Sequence, residues 1–149
     1  MPARKRKVST PKLPMQRQFV FAEQGRYFNL RHIFDKLNDR YFGNRIRGYV
    51  IQWGRRRRQR PKDYIVFGTI QEEDRIIRIH PLLDQAFVPT WFLEYVVYHE
   101  MLHAVVPDQY DAKGRRLVHH EKFQEREREF HWFKRAKAWE EENLARFLR

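Results

Sequence analysis

His99 and His103 lie four residues apart, with Glu100 directly after the first, in the heptapeptide YHEMLHA. On an α-helix this separation puts both imidazoles on one face, about one turn apart, close enough to share a metal ion. Glu100 is rotated by roughly 100° from His99, so it is poorly placed as a third ligand but can reach a water held by the ion. Zinc suits these residue types. Neutral imidazoles bind it without cancelling its charge, and the ion lowers the pKa of a bound water to about 7. A carboxylate beside that water can take its proton and later pass it to a leaving amine, which is the chemistry of peptide hydrolysis.

The competing reading is a chance match on a solvated helix. The neighbours argue against it, because Tyr95, Val96, Val97, Tyr98, Met101, Leu102, Ala104, Val105 and Val106 make the segment strongly apolar. Two histidines and a carboxylate buried without a partner are costly, and a metal removes that cost. A catalytic zinc keeps three protein ligands and one open position. His119 and His120, in VHHEKFQEREREFHWF, are the next candidates. If this stretch is helical, Phe123, Phe130 and Phe133 define an apolar face that includes His119 and leaves His120 off its edge. His119 is therefore the expected third ligand, with His120 left to substrate or solvent. A glutamate ligand, Glu127, is the alternative and would define a different class of zinc protease. Tyr110 and His120 are candidates for steadying an oxyanion. His80 reads as structural or as part of a cleft rim, and His32 and His131 as surface or packing residues.

These side chains need a scaffold. Leu30, Ile33, Phe34, Leu37 and Tyr41 recur at helical spacing across 29–42, and Gly43 stops that helix. Tyr49, Ile51 and Trp53 alternate as in a half-buried strand, and RRRRQRPK reads as a loop. DYIVFGTI and RIIRIH read as a hairpin about QEED. Thr90 is the expected N-cap of the histidine-bearing helix, and Pro107 ends it. DQYDAKGRR reads as a polar loop, and 119–149, without glycine or proline, as helix in one or two pieces. The order predicts an α+β fold.

With 149 residues, 42% hydrophobic and 15% aromatic, the chain suits one folded domain, taken as 21–149, behind a basic flexible arm at 1–20. Zero cysteines exclude disulfides, thiolate zinc sites and a cysteine nucleophile. No run approaches the roughly 18 apolar residues of a membrane span, and the basic start lacks the apolar stretch of an export signal, so a cytoplasmic monomer is expected. The net charge of +12 is concentrated in two clusters. Arg4, Lys5, Arg6, Lys7, Lys12 and Arg17 form the first; Arg55, Arg56, Arg57, Arg58, Arg60 and Lys62 form the second. Clusters of this kind suit a polyanion, bound mainly through phosphate, and Trp53 beside the arginines offers a ring for an unstacked base. They could equally be solvated surface, a nuclear import signal or an RNA contact.

HEMLHA followed by HHEKF resembles the SprT-like metalloprotease domain, the family that includes the Spartan DNA–protein crosslink proteases. LNDRYF, IQW, FGTI and IIRIHPLLD resemble, in order, its first helix, its tryptophan-bearing strand and its hairpin, so the resemblance covers roughly residues 27–133. It implies a zincin-like domain with an N-terminal helix, a small antiparallel or mixed sheet, an active-site helix and C-terminal helices. It also implies zinc on His99, His103 and His119, Glu100 as general base, and RIIRIH as the edge along which a substrate chain lies extended. The implied partners are a protein substrate and DNA, single-stranded or damaged, with a nucleoid-associated or nuclear location. Two departures stand out. His120 occupies the position where the family often has glycine, and no cysteine ribbon is present. The alternative from another class is a non-catalytic nucleic-acid-binding module with a structural zinc.

Overall fold

Asn29 opens the first helix by accepting the backbone N–H of His32 at 3.0 Å, satisfying one of the donors a helix start leaves unpaired. The computed structural model describes residues 22–149, so the basic arm with Arg4, Lys5, Arg6 and Lys7 lies outside the described residues. Helix α1 (Leu30–Phe42) buries Leu30, Ile33, Phe34, Leu37 and Phe42 on one stripe. It ends at Gly43, whose left-handed φ of 56° suits a residue without a Cβ.

Three short strands follow: β1 (Val50–Trp53), β2 (Gly68–Gln71) and β3 (Ile76–Ile79). They form one mixed sheet in the order β1-β3-β2, with β1 parallel to β3 and β2 antiparallel to it. The hairpin is as expected, but its first strand begins only at Gly68. The expected edge is wrong. RIIRIH is the central strand, because β1 pairs along one side of it (Ile51 opposite Ile77, Trp53 opposite Ile79) and β2 along the other. A chain laid beside this sheet on the β2 side must therefore pair with β2. Ile51, Ile77 and Ile79 are fully buried beneath the helices.

Helix α2 (Thr90–Val105) packs against α1, β2 and β3 and is buried nearly all round, from Phe92 to Tyr98 and again from Glu100 to His103. A helix apolar on every side belongs in a core. Its N-cap is Pro89, with φ of −65°, and no side chain caps it. Thr90 is already its first residue, so the expected threonine cap is not made. The polar loop after Pro107 contains a two-residue hairpin, β4 (Gln109–Tyr110) with β5 (Arg116–Leu117). Asp111 organises its turn by accepting the N–H groups of Lys113 at 2.9 Å and Arg115 at 2.8 Å.

The C-terminal stretch is not helical from 119. Helix α3 (Glu121–Arg128) starts after His120, and α4 (Phe133–Asn143) leads into a 3-10 turn, Leu144–Phe147. Phe147 is fully buried and anchors this end against Phe67, Phe87 and Trp139. The fold is α+β, and among the described residues no helix is long and apolar enough to cross a membrane.

Candidate metal centre

Helical pitch places His99 and His103 on the same side of α2, and the β4–β5 hairpin returns the chain so that His119 faces them. The Nε2 atom of His119 is 3.1 Å from Nε2 of His99 and 3.1 Å from Nε2 of His103. Three nitrogens bound tetrahedrally at about 2.0–2.1 Å would stand roughly 3.3 Å apart, so the observed spacing fits a metal ion with little movement. His103 is buried, His99 half-buried and His119 exposed, which leaves one side of the cluster open.

The ring states favour ligation. Glu127, on α3, sits against Nδ1 of His99. A carboxylate can only accept, so Nδ1 carries the hydrogen and Nε2 is turned toward His119. Burial pushes the Glu127 carboxyl up, but the hydrogen bond and charge of His99 outweigh it and leave it below the ordinary carboxylate range. Burial, with His99 and His119 alongside, pushes His103 down to about 4. His119 is also lowered, by burial and then by His99. Beneath all three rings lies the fully buried Phe123, stacked on His103 at 4.5 Å and edge-on to His99 at 5.0 Å. It excludes water from the back of the site.

Glu100 is buried beside this cluster, and burial pushes its pKa up to about 7, with His99 opposing and Glu127 adding to the rise. It lies against β2, where a Cβ added at Gly68 would be 2.9 Å from Glu100 Cγ. A cleft of ≈ 1030 Å³ runs between β2 and the histidine cluster, lined by Glu100 and the three histidines as well as by residues 65–74.

The structure distinguishes the remaining candidates. His120 is not free. It is the buried N-cap of α3, its Nδ1 accepting the Phe123 N–H at 3.4 Å and its Nε2 lying 2.9 Å from the Pro107 carbonyl oxygen. The helix face used to choose between the two histidines does not exist at 119, which lies in a bend ahead of α3. His119 nevertheless joins the cluster, because the cap directs His120 inward and its neighbour outward. Glu127 orients His99 and does not complete the triad of nitrogens. Tyr110 is exposed and is not among the residues lining the cleft. His80 caps the turn after β3 by accepting the Leu82 N–H at 3.1 Å. His32 and His131 are exposed.

Arg55, Arg56, Arg57, Arg58 and Arg60 are exposed on the β1–β2 loop. Trp53 is half-buried against the core with its indole N–H enclosed, so it is not the free ring expected beside them. Sequence reasoning missed Glu127 as the partner of His99. The signal was the acid eight residues after His119, on the same helix as Phe123. Glu127→Gln is expected to weaken metal binding by about 10–100-fold, read by competition with a chromogenic chelator. Compared with protein-family models, curated proteins and solved structures, the chain has no significant match.

Proposed function

We propose that this protein is a zinc-dependent endopeptidase of the SprT-like, zincin type, acting on proteins associated with nucleic acid. The observation that carries the reading is the convergence of three imidazole nitrogens beside a buried glutamate, under a strand, β2, that is an edge of the sheet among the described residues. A structural zinc is normally closed by four protein ligands, whereas among the described residues this cluster offers three and an open side. The reading as a mere nucleic-acid-binding module gives no role to Glu100, an acid kept buried at a cost.

His99, His103 and His119 would hold the ion. Zinc supplies Lewis acidity, which polarises a peptide carbonyl and acidifies water. Glu100 takes the proton of the attacking water and returns it to the leaving nitrogen; a carboxyl near pH 7 in affinity suits both transfers. β2, an edge strand among the described residues, presents its outward backbone donors and acceptors to an extended substrate chain, which sets the scissile bond across the cluster. Glu72, Glu73 and Asp74, at the turn after β2, line the same cleft and favour basic segments there.

The direct test is cleavage of a denatured protein that depends on added zinc and stops with a chelator. Gly68→Ala gives a finer one. A Cβ there meets Glu100 at 2.9 Å and must displace it. The variant is expected to keep its metal and lose about 10²-fold in kcat/KM, the scale of loss for a reacting group misplaced by about 1 Å.

A further inference from the structure

Tyr95 stands one helical turn before His99 on α2, so the side chains at 95, 99 and 103 share one stripe of the helix. Its ring is buried, edge-on to Phe133 at 6.0 Å and to His99 at 6.4 Å, and tilted against Phe92 and Phe130. A phenyl ring would fill that space equally well. Packing therefore accounts for the ring but not for the hydroxyl, which in a buried tyrosine usually finds a partner. Here it reaches Glu127, the same carboxylate that sits against Nδ1 of His99. Tyr95 and Glu127 both line the metal cleft.

Glu127 approaches the cluster from α3, while both of these donors belong to α2. A glutamate is a loose tether, because its last torsion is broad and each rotatable bond costs entropy to fix. One contact, to His99, leaves the carboxylate free to turn about it. A second donor from the same helix restricts that turn. Lys137, whose charge also acts on this carboxylate, is bonded to Glu140 at 3.1 Å. Holding Nδ1–H in place in turn keeps Nε2 of His99 in the cluster, 3.1 Å from Nε2 of His119.

We propose that Tyr95 is a positioning residue of the metal centre: its hydroxyl holds the Glu127 carboxylate against Nδ1 of His99 and so fixes the ring orientation in which His99 meets the ion. The inference rests on the reading of His99 as a metal ligand and adds an outer link to it, from hydroxyl to carboxylate to imidazole. Tyr95 touches neither ion nor substrate in this role, so its loss is felt first as weaker metal binding.

The test uses the full chain and zinc alone. Tyr95→Phe keeps the ring and removes only the hydroxyl. It is expected to bind zinc about tenfold more weakly than the parent in competition with a chromogenic chelator, the lower end of the range for outer partners of a ligand. In a Glu127→Gln background the same substitution should cost nothing further, because the hydroxyl acts through that carboxylate. A readout without metal completes the test. At a pH where the ring is neutral, long-range nitrogen–proton spectra of the metal-free parent should show His99 protonated at Nδ1, and Tyr95→Phe should raise the share protonated at Nε2. Unchanged zinc affinity in Tyr95→Phe, an equal loss in the Glu127→Gln background, or an unchanged tautomer would each overturn the role. A parent that binds no zinc would overturn it together with the metal centre. A protein that follows the expected pattern but cuts no substrate would support the role of Tyr95 and overturn the peptidase alone, which separates the two readings.

Discussion

Glu100→Gln is expected to bind one equivalent of zinc and to cleave a denatured protein about 10²–10⁴-fold more slowly than the parent, the range that a positioned general base contributes. The amide has the shape of the acid but cannot take a proton, so metal content by mass spectrometry and cleavage rate should separate cleanly. A fall in both would mean that Glu100 supports the metal site and not the chemistry. The same variant has a second, opposite effect on stability. Burial raises the Glu100 carboxyl from 4.5 to about 7, so the folded state holds its proton more tightly than the unfolded chain does. Its contribution to stability is complete below pH 4.5 and is lost as pH rises through about 7. In chelator above pH 7, Glu100→Gln should therefore be more stable than the parent by up to about 3 kcal/mol, a gain that disappears near pH 4.5. A residue that costs stability at the pH where it is ionised is retained for something other than folding.

That cost was visible in the sequence itself, because an acid between two histidines inside an unbroken apolar run has no cheap structural explanation. Helical spacing alone placed His99 and His103 together, since both lie on one element and their separation is local. His119 is a different case. The face assigned to it belongs to a helix that starts at Glu121, and what brings it to the cluster is the β4–β5 hairpin, built on Asp111 and closed by the buried His120 cap. Contacts of that kind depend on how a polar loop folds back, and residue periodicity carries no trace of it. The same limit explains the misplaced edge strand. Two strands joined by a short turn are expected to pair, but nothing local shows that β1 will lie parallel to β3 and enclose it. It explains Trp53 as well, because the ring nearest the arginines in the chain is claimed by the core. Local chemistry was legible; the pairing of distant segments was not.

Removing the metal is the second large perturbation, and its sign with pH follows from the histidines. A zinc ion held by the three histidines would bind the folded arrangement and have no preformed site in the unfolded chain, so at free zinc about 10²–10³ times the Kd it would add about 3–4 kcal/mol. For a chain of this length, chelation near pH 7 should lower Tm by roughly 10 °C. His119→Ala leaves two ligands on α2 and an unfilled position toward solvent, so its Tm should be nearly indifferent to chelator while its far-ultraviolet spectrum stays that of the parent. His103 supplies the pH dependence. Its folded pKa is depressed from 6.5 to about 4, so the neutral ring contributes stability that is complete above 6.5 and is lost as pH falls toward 4. Protons then compete with the ion for the same nitrogens. The gap between zinc-loaded and chelated Tm should be widest above pH 6.5 and should close as pH approaches 4. A gap that stays constant across that window, or one that survives in His119→Ala, would place the ion on other residues and remove the basis for assigning Glu100 its role.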